Sequence, residues 1–238
     1  MSGHSKWSTI KHKKAKEDAK RGKLFTKLIK EISVASRVGG GDPEGNPRLR
    51  LLLDKAKEIN MPLENSMRAI KRGTGELPGV TYERYNYEGY GPANAAVIIE
   101  VLTDNKNRAI AELRALFTRK GATIAESGAV SWMFDRLGVI RISSEGHTED
   151  GLLEHLLSLE VKDISSEENV FVINCDVKAL DEIKSALVRL GYKVESAEIE
   201  WVPKNTMQLD SSAEEKMYEF LNALEDLDDV QNVYTNLG

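Results

Sequence analysis

The sequence predicts an α+β protein. A basic arm and an N-terminal three-helix bundle precede two ferredoxin-like βαββαβ units, one inserted into the other. Three observations predict it. In the first third, apolar residues recur at three- and four-residue spacing, the period of helices. Beyond ELPGV, at 76–80, short apolar runs alternate with helical stretches. Two βαβ-like pieces then flank one uninterrupted βαββαβ pattern over roughly 137–202. The expected division is therefore 1–77 for arm and bundle, 78–136 with 204–238 for a split α/β unit, and 137–203 for the inserted one.

Residues 1–14 are lysine-rich, with little apolar content to fold them, and read as a basic arm. From about Ala15 to Val38, Leu24, Phe25, Leu28, Ile29, Ile32 and Ala35 form one stripe of a helix. GGGDPEGNP interrupts it. Asn46 then caps a second helix with Pro47 at its first position, burying Leu49, Leu52, Leu53, Ala56 and Ile59. Pro62 opens a third, with Met67 and Ile70 inward, which ends at Lys71, Arg72 and Gly73.

YERYNYEGYGP reads as an extended segment and turn, and the near-continuous apolar run AAVIIEVL as a central strand. A helix from about Asn107 and a strand AVSWMF complete the first βαβ piece. LGVIRIS, a leucine-rich helix, EVKDIS, VFVINC, a second helix and VESAEIEW spell the inserted unit. NTMQL, a helix opening at Ser211 with Glu214 as a capping box, and DVQNVYTN close the split one.

The chain carries a net charge of −5, which hides a strong asymmetry. Residues 1–77 hold 18 Lys and Arg against 9 Asp and Glu; residues 78–238 hold 15 against 29. A basic surface on an acidic body points to a polyanionic partner. Lys16, Lys20, Lys23, Lys27 and Lys30 are spaced by four and three residues. They line one face of the first helix over roughly 21 Å, nearly opposite its apolar stripe. Five like charges in a row repel, and a polyphosphate would relieve them while releasing counterions. The plainer reading is a solvated helix face. Lys6, Lys11, Lys13 and Lys14 in the arm, and Arg21, Arg48, Arg50, Arg68, Lys71 and Arg72 in the bundle, extend the basic supply. Trp7 either stacks on an unpaired base or pins the arm to the bundle. His12 suits a phosphate contact better than a metal, since no Cys or His set with zinc spacing accompanies it.

GHSKWSTIKHKKAKEDAKRGKLFTK, NPRLR, NMP, RAIKRGTGE, YEGYGP, LTDNKNR and PKNT resemble the YebC/PmpR family over essentially the whole chain. That resemblance implies a helical N-terminal domain with two α/β domains, one inserted in the other, and a DNA-binding transcriptional regulator. Related members resemble translation factors that act on the ribosome, which keeps ribosomal RNA as the alternative ligand. The turn after YEGYGP reads ANAA, where family members are richer in glycine.

Other sites carry less. GGGDP lacks a following GK[ST] and is no P-loop. Tyr87 and Tyr90 either meet a base or protein partner or pack across strands. Asn105 and Arg108 form a polar contact patch, or Asn105 simply caps the next helix. LEDLDDV, at 224–230, reads as a solvated helix end without calcium-loop spacing. No nucleophile, base and orienting group can be assembled, so no enzyme, cofactor or metal is expected. No apolar run of membrane length occurs and the N-terminus lacks a secretory h-region. The single Cys175, in an apolar run, suits a reducing cytoplasm. Oligomeric state leaves no mark in the sequence.

Overall fold

The computed structural model describes residues 21–157, 159–167 and 169–238. Helices α1 (Arg21–Gly39), α2 (Pro47–Glu58) and α3 (Leu63–Gly73) form the bundle. Leu28, Ile32, Ala35, Leu49, Ala56, Met61 and Ala69 are its buried core. Asn46 caps α2 as the sequence suggests: its Oδ1 accepts from the Leu49 amide at 3.1 Å. Its Nδ2 also donates to the carbonyls of Ala35 and Gly40, at 3.0 and 2.8 Å, tying α2 to the end of α1. Met67, expected inward, is 49% exposed. Instead α3 presents Ser66, Ala69 and Gly73 to α1, and a Cβ at Gly73 would lie 2.3 Å from the Ser33 carbonyl oxygen. Small residues there let the two backbones approach.

Two four-stranded antiparallel sheets follow. The second comprises β4 (Phe134–Ser143), β5 (Val161–Glu167), β6 (Val170–Cys175) and β7 (Val194–Pro203), with α5 (Glu149–Leu156) and α6 (Leu180–Arg189) between them. Its chain order is βαββαβ and its spatial order β5-β6-β4-β7. The first contains β1 (Glu83–Tyr90), β2 (Ala96–Thr103), β3 (Thr123–Ala125) and β8 (Val230–Thr235), with α4 (Lys106–Lys120) and α7 (Ser211–Glu225). Its order, β3-β1-β2-β8, repeats the same spatial plan. In each sheet, the strand after the first helix and the strand after the second lie at opposite edges.

The chain visits that plan differently in the first sheet. ERYNYEGY is strand β1, paired with both β2 and β3. AVSWMF is not a strand: Ser131–Met133 form a 3-10 turn and Phe134 opens β4. NTMQL contributes only one bridge, Met207 with Leu237. At the start of α7 the cap is Asp210, whose carboxylate accepts from the amides of Ser212 and Ala213. β2 is buried along its whole length. One face packs on α4 and α7, and the other places Ala96 and Ile98 against Val130, Phe134, Tyr234 and Trp201. A strand covered on both sides explains the continuous apolar run.

Candidate nucleic-acid interface

The helical period puts Lys23, Lys27 and Lys30 on one line of α1, as the spacing requires. That line is not a free solvent face: Lys23 is half-exposed, Lys27 part-buried and Lys30 buried. It lies against the C-terminal end of α7 and the turn into β8. The Lys23 ammonium donates to the Asp226 carbonyl at 3.0 Å and to its carboxylate at 3.3 Å. Lys27 donates to the Glu225 carbonyl at 2.9 Å. Lys30 reaches the Asp228 carbonyl and the Asp229 carboxylate, both at 2.9 Å, and is 7% exposed. The physical reason lies in α7. Its last turn has no basic residue, yet it ends in unsatisfied carbonyls and runs into Glu225, Asp226, Asp228 and Asp229. The lysines of α1 supply the cations that a helix C-terminus prefers. The LEDLDDV segment is thus an intramolecular partner rather than a solvated end.

Asp229 is the hub of this contact. Besides Lys30, it accepts from the Arg108 guanidinium and the Thr103 hydroxyl, each at 2.8 Å. Burial pushes its carboxyl up, but the hydrogen bonds from Lys30, Arg108 and Thr103 outweigh it and hold the pKa below the usual aspartate value. A second hub is Glu31, which accepts from Arg48 at 2.7 Å and Arg84 at 2.6 Å. Burial raises its carboxyl, and the two guanidinium charges more than reverse that. Arg50 bonds the Pro43 and Glu44 carbonyls and pairs with Asp181 of α6 at 3.2 Å. Arg48 and Arg50 therefore hold the bundle together and to the sheets.

The end of α3 is different. Arg68 pairs with Glu64 one turn earlier, both on the surface. Lys71 and Arg72, in the last turn, are exposed and have no ion-pair partner among the described residues. Lys6, Trp7, Lys11, His12, Lys13, Lys14, Lys16 and Lys20 lie outside the described residues, as does the Arg21 side chain.

The four candidate partner contacts are engaged within the fold. Tyr87 packs against the first sheet's core, its buried hydroxyl without a hydrogen-bond partner among the described residues. Tyr90 donates to the Ala129 carbonyl at 3.3 Å. Asn105 caps α4, accepting from the Arg108 amide at 3.0 Å. Arg108 is divided between Asp104 and Asp229, which raises its pKa. Sequence reasoning missed Glu31 and Asp229 as organising acids. The only signal for Asp229 was an acidic segment whose charges complement the α1 row. Among the described residues, no group of three or more His, Cys, Asp or Glu is placed to hold a metal ion, and no helix is long and apolar enough to cross a membrane.

Residues 5–76 match the family model described as the TACO1/YebC N-terminal domain, and residues 82–237 that of the TACO1/YebC second and third domains. The chain belongs to the TACO1/YebC family. A relative from Chlorobaculum tepidum is 51% identical over 238 residues, covering 100% of this chain and 95% of its own. Another, from Geobacter sulfurreducens, is 52% identical over 236 residues, with 99% and 95% coverage. Both are named "probable transcriptional regulatory protein", a regulator's name rather than an enzyme's. The crystal structure of a conserved hypothetical protein from Aquifex aeolicus superposes with a TM-score of 0.89. It is 47% identical, with 98% of this chain and 97% of that one covered. Membership in the TACO1/YebC family supports a regulatory role.

Proposed function

We propose that this family member is a non-enzymatic, cytoplasmic regulator of gene expression that binds nucleic acid through its basic N-terminal part. The charge partition of the chain carries this reading: 18 Lys and Arg against 9 Asp and Glu in residues 1–77, on an otherwise acidic body. With Lys23, Lys27 and Lys30 engaged by the acidic end of α7, and Arg48 and Arg50 within the fold, the proposed nucleic-acid-binding set narrows to Lys6, Trp7, Lys11, His12, Lys13, Lys14, Lys16, Lys20, Arg21, Arg68, Lys71 and Arg72. Duplex DNA is the first ligand, in keeping with the relatives' names. The division into 1–77, 78–136 with 204–238, and 137–203 goes with this reading, because the basic part is then one unit.

The test is fluorescence anisotropy with labelled duplex DNA across a salt series, for the native chain and for Lys71→Glu with Arg72→Glu. Losing two phosphate contacts is expected to lower affinity and to flatten the slope of log K against log salt by about two. An unchanged slope removes the end of α3 from the interface.

One observation favours ribosomal RNA as a second reading. The exposed end of α3 offers Arg and Lys without Asn or Gln beside them, which suits phosphates better than base edges. Gradient sedimentation of lysate with and without RNase separates the two readings. RNase-sensitive co-migration with ribosomes favours translation; its absence, with salt-dependent duplex binding, favours transcription.

A further inference from the structure

The bundle and both sheets meet around a cleft of about 180 Å³. Its floor is apolar: Leu24 and Leu28 of α1, Leu51 and Leu52 of α2, and Ile199 of β7. Apolar protein cavities of about 150 Å³ are known to admit benzene, so this space suits one ring or a branched aliphatic group.

Six cationic and five acidic side chains border the cleft. Most are matched: Glu31 with Arg48 and Arg84, Lys55 with Glu198 at 2.6 Å, Lys23 with Asp226. The surplus cation is Arg136 of β4, exposed at the border, whose guanidinium has no ion-pair partner among the described residues. Gln231 of β8 makes the second unmet demand. It is 7% exposed and lines the cleft, yet its Nε2 has no acceptor among the described residues. Buried donors are nearly always bonded, and one left over beside a cleft calls for a partner. An apolar floor with a few convergent polar groups is the usual composition of a small-molecule site.

We propose that this cleft binds a small organic monoanion with a single-ring or branched apolar body. The body lies on the leucines and Ile199. The anionic group answers Arg136, and one oxygen accepts the Gln231 amide proton. Arg68, Lys71 and Arg72 are not among the lining residues, and the proposal does not rest on the nucleic-acid reading.

The test uses the full chain with two probes read by fluorine NMR, 4-fluorobenzoate and its neutral counterpart 4-fluorobenzamide. Saturable benzoate binding is expected, with the amide about tenfold weaker for want of a charge pair. Arg136→Glu is expected to abolish the preference for benzoate, and Leu24→Trp, which fills the floor, to remove binding of both. Thermal melts confirm folding; the Arg136 variant, altered at an exposed position, keeps the test open should the Trp variant fail to fold. No saturation by about 10 mM, or benzoate affinity unmoved by Arg136→Glu, overturns the proposal.

Discussion

Lys30 on α1 and Lys71 on α3 carry the same charged group, 41 residues apart in one basic segment, yet stand in opposite surroundings. Lys30 is 7% exposed and shared between a carbonyl and a carboxylate of the chain's far end. Lys71 stands in water at a helix terminus. The difference teaches that helical spacing decides which lysines are collinear, while tertiary packing decides which way the line looks. On α1 the acidic end of α7 already supplies what a phosphate backbone would. At the end of α3 nothing among the described residues does.

The sharpest way to break this comparison is to remove the acid at its centre. Asp229→Ala strips Lys30, Arg108 and Thr103 of a common acceptor and leaves Lys30 buried without its countercharge. Breaking one partner of a buried pair typically costs about 3–5 kcal/mol. Lys71→Ala, on the exposed side, is expected to stay within about 0.5 kcal/mol. Urea unfolding monitored by circular dichroism measures both. A cost under about 1 kcal/mol for Asp229→Ala would mean that the α1–α7 contact is a surface pairing after all.

Acid probes the same contact without mutation. Asp229 and Glu31 both have folded-state pKa values below the ordinary carboxylate range. A depressed carboxyl adds stability that is full above its unfolded pKa, about 4, and is lost as pH falls through the folded value. The urea midpoint is therefore expected to decline below about pH 4, and Asp229→Asn to make that decline shallower. A native chain with a midpoint flat down to about pH 3 contradicts the assignment of these two acids as hubs. Lys23→Ala sharpens the comparison from the other end. Its pair with Asp226 is half-exposed, so about 0–1 kcal/mol is expected in the same unfolding experiment.

Much of the fold was legible in the sequence because its signals are local. The Asn46 cap, the three helices of residues 21–73 with most of their apolar stripe, Met67 excepted, and the βαββαβ order of the second sheet reappear as read. What failed was set by distant groups. AVSWMF has the composition of a strand, but its backbone is claimed by a side chain. The Glu88 carboxylate accepts the amides of Gly128, Val130 and Ser131 at 2.8, 2.7 and 2.9 Å. Those amides are thus satisfied without a neighbouring strand, and the segment turns. β3 has three residues, too few for a periodic signal. β1 reads in the sequence as an extended segment and not as a sheet strand, because tyrosines, glycine and glutamates stand where a strand pattern would show branched apolar residues. For the candidate interface, the residues that line up were readable and the partner of the line was not. LEDLDDV and the lysine row are about two hundred positions apart, and nothing local joins them.

A further small effect is expected at the turn between β1 and β2. Ala93 adopts φ +59° and Asn94 φ +61°, both in the left-handed region. An L-residue there pays about 1–2 kcal/mol, except that Asn tolerates it and Gly is indifferent. Ala93 is exposed, so its methyl contributes no packing that a substitution would lose. Ala93→Gly relieves the strain but loosens the unfolded chain by about 0.4–1 kcal/mol. A net gain of about 0.5–1 kcal/mol remains, while Asn94→Gly is expected to be near neutral. Thermal melts of the two variants decide it. A gain at 93 and none at 94 locates the strain in the alanine, whereas equal losses at both positions would trace the effect to chain entropy and leave the turn unstrained.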